Sequence, residues 1–270
     1  MNLSNAMKNI FDIKPLIIAA LHLPYQEFSG HLPPMSWLEE YVLKNFAIFA
    51  ENGVPAVILQ DETLNPGRAK PETIAVMASL GRLLINEFPE THLGIILQAH
   101  DPTSPLAIAH ACGASFVRIK VFVGSMLKAE GIQEGCGIEA CDYRRSLGRE
   151  DIMILADVHD RTGYPILPLP IAKAAAWAIN AGADGLILTG SSWEESLRYI
   201  AEVCQLGKRK PLILGGGANE NNIAEALQIA DGVVVSSALK RTNSQPSDLE
   251  RWDRDKVSRF MDAVRAAIQG

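Results

Sequence analysis

The chain has no excess of basic charge: 25 lysines and arginines stand against 31 aspartates and glutamates, a formal net charge of −6. A bulk positive field able to hold nucleic acid or an anionic membrane is therefore excluded, and any anion site must be local. Cysteine is scarce too. Cys112, Cys136, Cys141 and Cys204 fall at irregular spacings without a C-x-x-C pair, which excludes a disulfide framework and fits a reduced, cytoplasmic protein. Long apolar runs are missing: the longest near the start, residues 15–23, is far short of a membrane span and contains His22. There is no Ser/Gly-rich tract, low-complexity block or charge run to mark a linker, so residues 8–270 read as one domain. Residues 1–7, with Ser4-Asn5-Ala6 ahead of Met7, read as an N-terminal extension or expression remnant.

What is present is an alternation. Short apolar runs near 16–20, 56–59, 93–97, 116–120, 152–158, 185–189, 212–214 and 232–235 predict eight strands. Between them, Leu38, Val42, Phe46 and Phe49 mark one amphipathic face, and Ile74, Met77, Gly81, Leu84 and Phe88 the next. Ile171, Ala175, Ala178 and Ile179 repeat the pattern, as do Val257, Phe260, Met261 and Val264. Ser36 with Glu39 and Ser192 with Glu195 have capping-box spacing, and Pro71 suits a first helical position. Gly53, Gly113 and Gly182 follow helical runs where a left-handed cap is expected. Eight such units in 270 residues predict an α/β fold, a single (β/α)8 TIM barrel of parallel strands and outer helices. Two longer excursions, 121–137 and 241–255, read as a loop over the active face and a polar, mobile connection.

Residues 212–240 carry a site as well as a scaffold. Gly215, Gly216 and Gly217 follow the seventh strand, with a helix next, and Ser236-Ser237 occupies the matching turn one unit later. Glycine lets backbone approach a ligand, and N–H groups near a helix start favour an anion, so the two turns predict a phosphate cradle. Asn219 is expected to cap the helix.

Polar residues at strand ends locate the chemistry. Outward positions in a barrel must be apolar, so a polar residue inside an apolar strand points inward. By period two, Arg118 and Lys120 share a face, as do Asp157 with His159 and Gln98 with His100, while His22 ends the first strand. Gln60 follows the second strand and Thr189 ends the sixth, and with His22, Gln98 and His100 they are expected to line the substrate. Each set lies at the C-terminal end, where barrel chemistry is built. The alternative is a neutralised network of core charges. His31, His92 and His110 are expected at the surface, and Cys136 with Cys141 lacks the nearby histidine a metal site would need.

In order, AALHLP, PETIAVM, AIAHACGASFVRIKV, LADVH and NNIAEALQIADGVVVSSALKR resemble the BtpA/SgcQ family of predicted TIM-barrel enzymes, from about Leu16 to the final helix. The resemblance implies a barrel of the ribulose-phosphate-binding type. One member of that family is associated with photosystem I accumulation and another sits among sugar-metabolism genes. This chain departs from the family's common pattern with Gln60-Asp61-Glu62-Thr63 after the second strand and with Arg118 and Lys120 in the fourth.

Three readings follow. The first is an enzyme on a small phosphorylated metabolite, of isomerase, epimerase, aldolase or lyase type. In it Gly215, Gly216, Gly217, Ser236 and Ser237 bind phosphate, and Arg118, Lys120, Asp157 and His159 line the reacting end. His159 serves as acid or base, and Lys120 as oxyanion stabiliser or Schiff-base former. The second uses no certain cofactor but allows a divalent metal among His100, Asp157 and His159. The third is a non-catalytic barrel that acts in assembly or regulation. A homo-oligomer is compatible with all three, with Trp37, Trp177, Trp193 and Trp252 as candidate contacts.

Overall fold

Eight of the apolar runs form strands that are buried along nearly their whole length, as only a sheet covered on both faces requires. The computed structural model describes residues 9–24, 33–63, 67–207 and 210–269. Residues 1–7 and His31 lie outside the described residues. The barrel strands are β1 (Leu16–His22), β2 (Ala56–Gln60), β3 (His92–Ile96), β4 (Phe116–Ile119), β7 (Met153–Asp157), β9 (Gly185–Leu188), β10 (Leu212–Leu214) and β11 (Gly232–Val235). They close in the order β1-β11-β10-β9-β7-β4-β3-β2, all parallel.

Period two divides the core into two layers. Leu16, Ile18 and Ala20 point into the barrel with Ile58, Ile96, Phe116, Leu155, Ile187, Ile213 and Val234. Ile17, Ala19 and Leu21 point outward to the layer beneath the helices. Gly94 leaves room for the Phe116 ring, which a Cβ there would overlap.

The outer helices are α1 (Met35–Glu51), α2 (Pro71–Glu87), α3 (Ser104–Cys112), α4 (Gly137–Ser146), α5 (Ile171–Asn180), α6 (Trp193–Cys204), α7 (Ile223–Leu227) and α8 (Arg254–Gln269). Leu38, Val42, Phe46 and Phe49 are buried, as are Val257, Phe260, Met261 and Val264. Ser192 caps α6 by accepting from Glu195 N, Pro71 opens α2, and Gly53, Gly113 and Gly182 all have positive φ. Two caps differ from expectation. The α1 helix starts at Met35 after Pro34, which places Ser36 inside its first turn, and Asn222 rather than Asn219 precedes α7.

The excursion at 121–137 is no irregular loop. It folds as a hairpin, β5 (Ser125–Lys128) and β6 (Gly131–Glu134), turned at Gly131 with φ 111. A further strand, β8 (Tyr164–Pro165), comes from the loop after β7 and completes an antiparallel sheet of order β6-β5-β8. This roof carries Lys128 toward the barrel. A Cβ at Gly163 would lie 2.6 Å from Lys128 Cγ, so glycine there lets the lysine stem pass.

Residues 241–255 are anchored. Asn45, fully buried in α1, donates to Leu249 O at 2.8 Å and accepts from Arg251 N and Trp252 N at 2.8 and 3.3 Å. Trp252 is 1% exposed and packs edge-on against Phe49. Of the other tryptophans, Trp37 stacks on Tyr41, Trp193 bonds Glu225 and Trp177 stays exposed. Among the described residues no helix is long and apolar enough to cross a membrane.

Candidate active site at the barrel mouth

Inward-facing strand ends converge on a polar cavity of about 290 Å³. Its walls include Arg118, Lys120, Asp157 and His159, the Gly215-Gly216-Gly217 turn, Ser236, Ser237, His22, Gln60, Gln98 and Thr189. His100 is the exception among the expected residues. Strand β3 ends at Ile96, so alternation no longer governs position 100, and the His100 ring turns to the Glu134 backbone of the roof. Burial lowers its pKa.

Arg118 on β4 grips Asp157 on β7 with both arms, Nε to Oδ1 at 2.9 Å and a terminal nitrogen to Oδ2 at 3.0 Å. Burial pushes Asp157 up to about 6 against the pull of Arg118, which leaves it ionised at neutral pH. With both oxygens held and His100 turned away, the metal arrangement of His100, Asp157 and His159 is not assembled. Among the described residues no three His, Cys, Asp or Glu side chains gather as metal ligands.

Lys120 lies one residue past β4. It donates to Gln98 Oε1 at 2.7 Å and sits 4.0 Å from Asp160 Oδ2. Lys128 of the roof reaches the same oxygen at 2.6 Å, while Thr162 N and Oγ1 hold the other at 3.0 and 2.8 Å. Burial raises Asp160, but these donors outweigh it and bring its pKa down to about 2. Burial and the neighbouring Lys128 charge lower Lys120 to about 8, against the attraction of Asp160. One carboxylate thus serves two lysines, and the one over the cavity holds its proton loosely.

Across the mouth, Glu62 Oε1 lies 2.7 Å from His22 Nδ1, and His22 Nε2 lies 3.1 Å from Ser236 Oγ. Burial raises Glu62, but the His22 bond and the charges of His22 and Lys240 hold it below the usual range. The neighbouring Asp61 is fully buried and ties the β2 loop to Gln98 N at 3.2 Å. His159 is half-buried at the rim, edge-on to Tyr199, and burial lowers its pKa.

The glycine turn does not run directly into a helix. Residues 218–222 intervene before the five-residue α7, where Asn222 Nδ2 donates to Gly217 O at 3.0 Å. Among the described residues, the N–H groups of Gly216, Gly217 and Ser237 meet no acceptor within the chain. Arg161 borders this turn: its guanidinium would be 3.5 Å from a Cβ at Gly216.

Asp160, Arg161 and Thr162 line the cavity although alternation does not reach them, and Glu62 and Lys128 act from behind it. The run of polar residues after LADVH was the available signal for the first three. His92, expected outside, is buried on β3 with Nδ1 3.0 Å from Ser115 Oγ; His110 is exposed.

Eight parallel strands, a helical coat and a polar cavity at their C-terminal ends define a (β/α)8 barrel. The chain belongs to the BtpA family, whose model matches residues 13–266. It is 32% identical over 226 residues to the photosystem I biogenesis protein BtpA of Synechocystis, covering 82% of this chain and 77% of that one. A mitochondrial protein of Caenorhabditis elegans is 30% identical over 263 residues, covering 93% of each. Among solved structures, a tryptophan synthase chain from M. tuberculosis superposes with TM-score 0.62 at 14% identity, covering 96% of this chain and 98% of that one, a likeness of fold alone.

Proposed function

We propose that this barrel is an enzyme acting on a small phosphorylated metabolite that bears a carbonyl group. The observation that carries the reading is the placement, in one cavity, of unbonded backbone donors at Gly216, Gly217 and Ser237 opposite the loosely protonated Lys120. The two turns, with Arg161 beside them, would hold the phosphate, and Ser236 would lie against it. Arg118 and Asp157 form a fixed wall, while Lys120 and His159, which line the same cavity, would face the reacting carbons.

A neutral Lys120 would add to the substrate carbonyl and expel water as an imine, which withdraws electrons from the adjacent carbon. The same group, if protonated, would stabilise an enolate oxygen. Neutral His159 would take or return the proton at that carbon. Isomerisation and epimerisation begin this way; in carbon–carbon cleavage the base would instead take the proton of the hydroxyl one carbon further on, and the protonated imine would receive the electrons of the breaking bond. A small homo-oligomer in the cytoplasm is compatible with this reading.

Thermal-shift measurements against pentose and hexose phosphates and the same sugars without phosphate test the binding claim. Selective stabilisation by the phosphorylated forms is expected, and equal response to both would sink it. Borohydride added with a stabilising sugar phosphate should leave a reduced adduct on Lys120, detected by mass. A stabilising carbonyl substrate without an adduct removes the imine variant.

The name of the Synechocystis relative favours a second reading, a barrel that binds its ligand and serves in assembly without turnover. Replacing both Lys120 and His159 by alanine separates the two. Preserved cellular function in a folded double variant supports binding, and its loss supports catalysis.

A further inference from the structure

The exposed large apolar side chains are concentrated at one place. Leu127, Ile132, Ile138, Tyr164, Ile166, Leu167 and Trp177 are 40–80% exposed, and Ile268 is the one such side chain elsewhere among the described residues. Register explains the row on the roof. Leu127 pairs with Ile132 on one side and Tyr164 on the other, so all three point outward, while Met126 and Lys128 alternate inward and are buried. Ile166 N donates to Ser125 O at 3.0 Å and carries the surface past β8. Ile138 of α4 and Trp177 of α5 border a shallow depression beside Ser125 and Glu134, which joins the helices to the same face.

We propose that this face is the contact between two copies of the chain, which meet roof to roof. Seven such side chains at these exposures present roughly 700 Å² of apolar surface, more than the ~300–600 Å² of the largest patch on a typical monomer. It approaches the ~800 Å² per partner of a standard stable interface. The rim carries both signs. Glu134 edges the depression beside Asp142 and Arg145, which pair with each other at 2.8 Å, and Lys173 sits 5.9 Å from the centre of the Trp177 ring. A two-fold axis can therefore bring basic rim groups of one copy to acidic ones of the other, as a self-complementary patch requires. An anionic membrane would need a basic rim, which this is not.

The contact reaches the cavity through a single strand. Leu127 points into the second copy while Lys128, the next residue, holds Asp160 from the opposite face. Association would steady the lysine that bears on Lys120. The proposal does not depend on what the cavity binds.

Sedimentation equilibrium of the full chain, from low to high micromolar concentration, tests it. The wild-type chain should sediment at twice the chain mass. Ile132→Glu combined with Tyr164→Glu should weaken association by at least ~100-fold, because each copy would bury unpaired charge. Ile138→Lys, on a helix outside the roof, should weaken it while leaving roof pairing untouched. Far-UV circular dichroism and melting temperature establish that the variants are folded. A wild-type chain at single mass throughout overturns the proposal, and so does a folded Ile138→Lys chain that dimerises as tightly as the wild type.

Discussion

Arg118 and Asp157 face each other across neighbouring barrel strands in a two-pronged pair, with side chains 15% and 3% exposed. Asp157→Leu would remove both acceptors and leave the guanidinium buried without its partner. The expected loss is about 3–5 kcal/mol, read by urea unfolding at pH 7. Arg118→Met combined with Asp157→Leu should recover most of it, because no charge is then stranded. A double variant as unstable as Asp157→Leu would mean the pair matters through shape.

Lys120 carries a stability cost that depends on pH. Its folded pKa of about 8 lies below the ordinary 10.5, so the unfolded chain binds the proton more tightly. The penalty is full below pH 8 and is relieved as pH rises from there to 10.5. Lys120→Met should therefore stabilise the protein at pH 7 by roughly 1–3 kcal/mol, allowing for the lost Gln98 bond, with the gain shrinking toward pH 10. Paired urea melts at the two pH values measure it.

Lys128 competes with Lys120 for Asp160. In Lys128→Met the carboxylate turns wholly to Lys120 and a repelling charge disappears, so the pKa of Lys120 should rise toward the ordinary lysine value. The pH dependence of Lys120 modification by an amine-reactive reagent, followed by peptide mass, should shift to higher pH. An unmoved profile would place the cause in burial alone.

Two adjacent glycines should behave differently. A Cβ at Gly215 would overlap Thr189 Oγ1, so Gly215→Ala should cost about 1–3 kcal/mol. At Gly216 the nearest atom is the mobile end of Arg161, so Gly216→Ala should leave stability within about 0.5 kcal/mol. It should nonetheless abolish any thermal shift from phosphorylated sugars, because the methyl occupies the turn.

Asn45→Ala should cost about 2 kcal/mol or more by stranding Leu249 O, Arg251 N and Trp252 N. Near-ultraviolet circular dichroism from Trp252 should weaken with it.

The barrel and most of its cavity were legible because both follow from alternation. Arg118 and Asp157 could be placed inside by counting along FVRIKV and LADVHD, where each neighbour is apolar and has to face the helices. Alternation carries no information beyond a strand end. His100, four residues past β3, left the cavity, and Asp160, three past β7, entered it. Lys128 was hidden for another reason. Its partner Asp160 is 32 residues away, and the glycines around it read as a loop when they are the turn and close contacts of a hairpin. A still longer separation conceals Asn45, whose bonds to the last connection span more than 200 residues.

Cys136, at the start of α4 beneath the roof, is 9% exposed, bonds Val121 O at 3.2 Å and is pushed by burial up to about 12. Cys112 is fully buried where α3 meets Gly81 of α2. Neither thiol can react with a disulfide reagent until the chain around it opens. These two thiols are therefore internal stopwatches, one timing the lifting of the roof and one timing the parting of the helical coat.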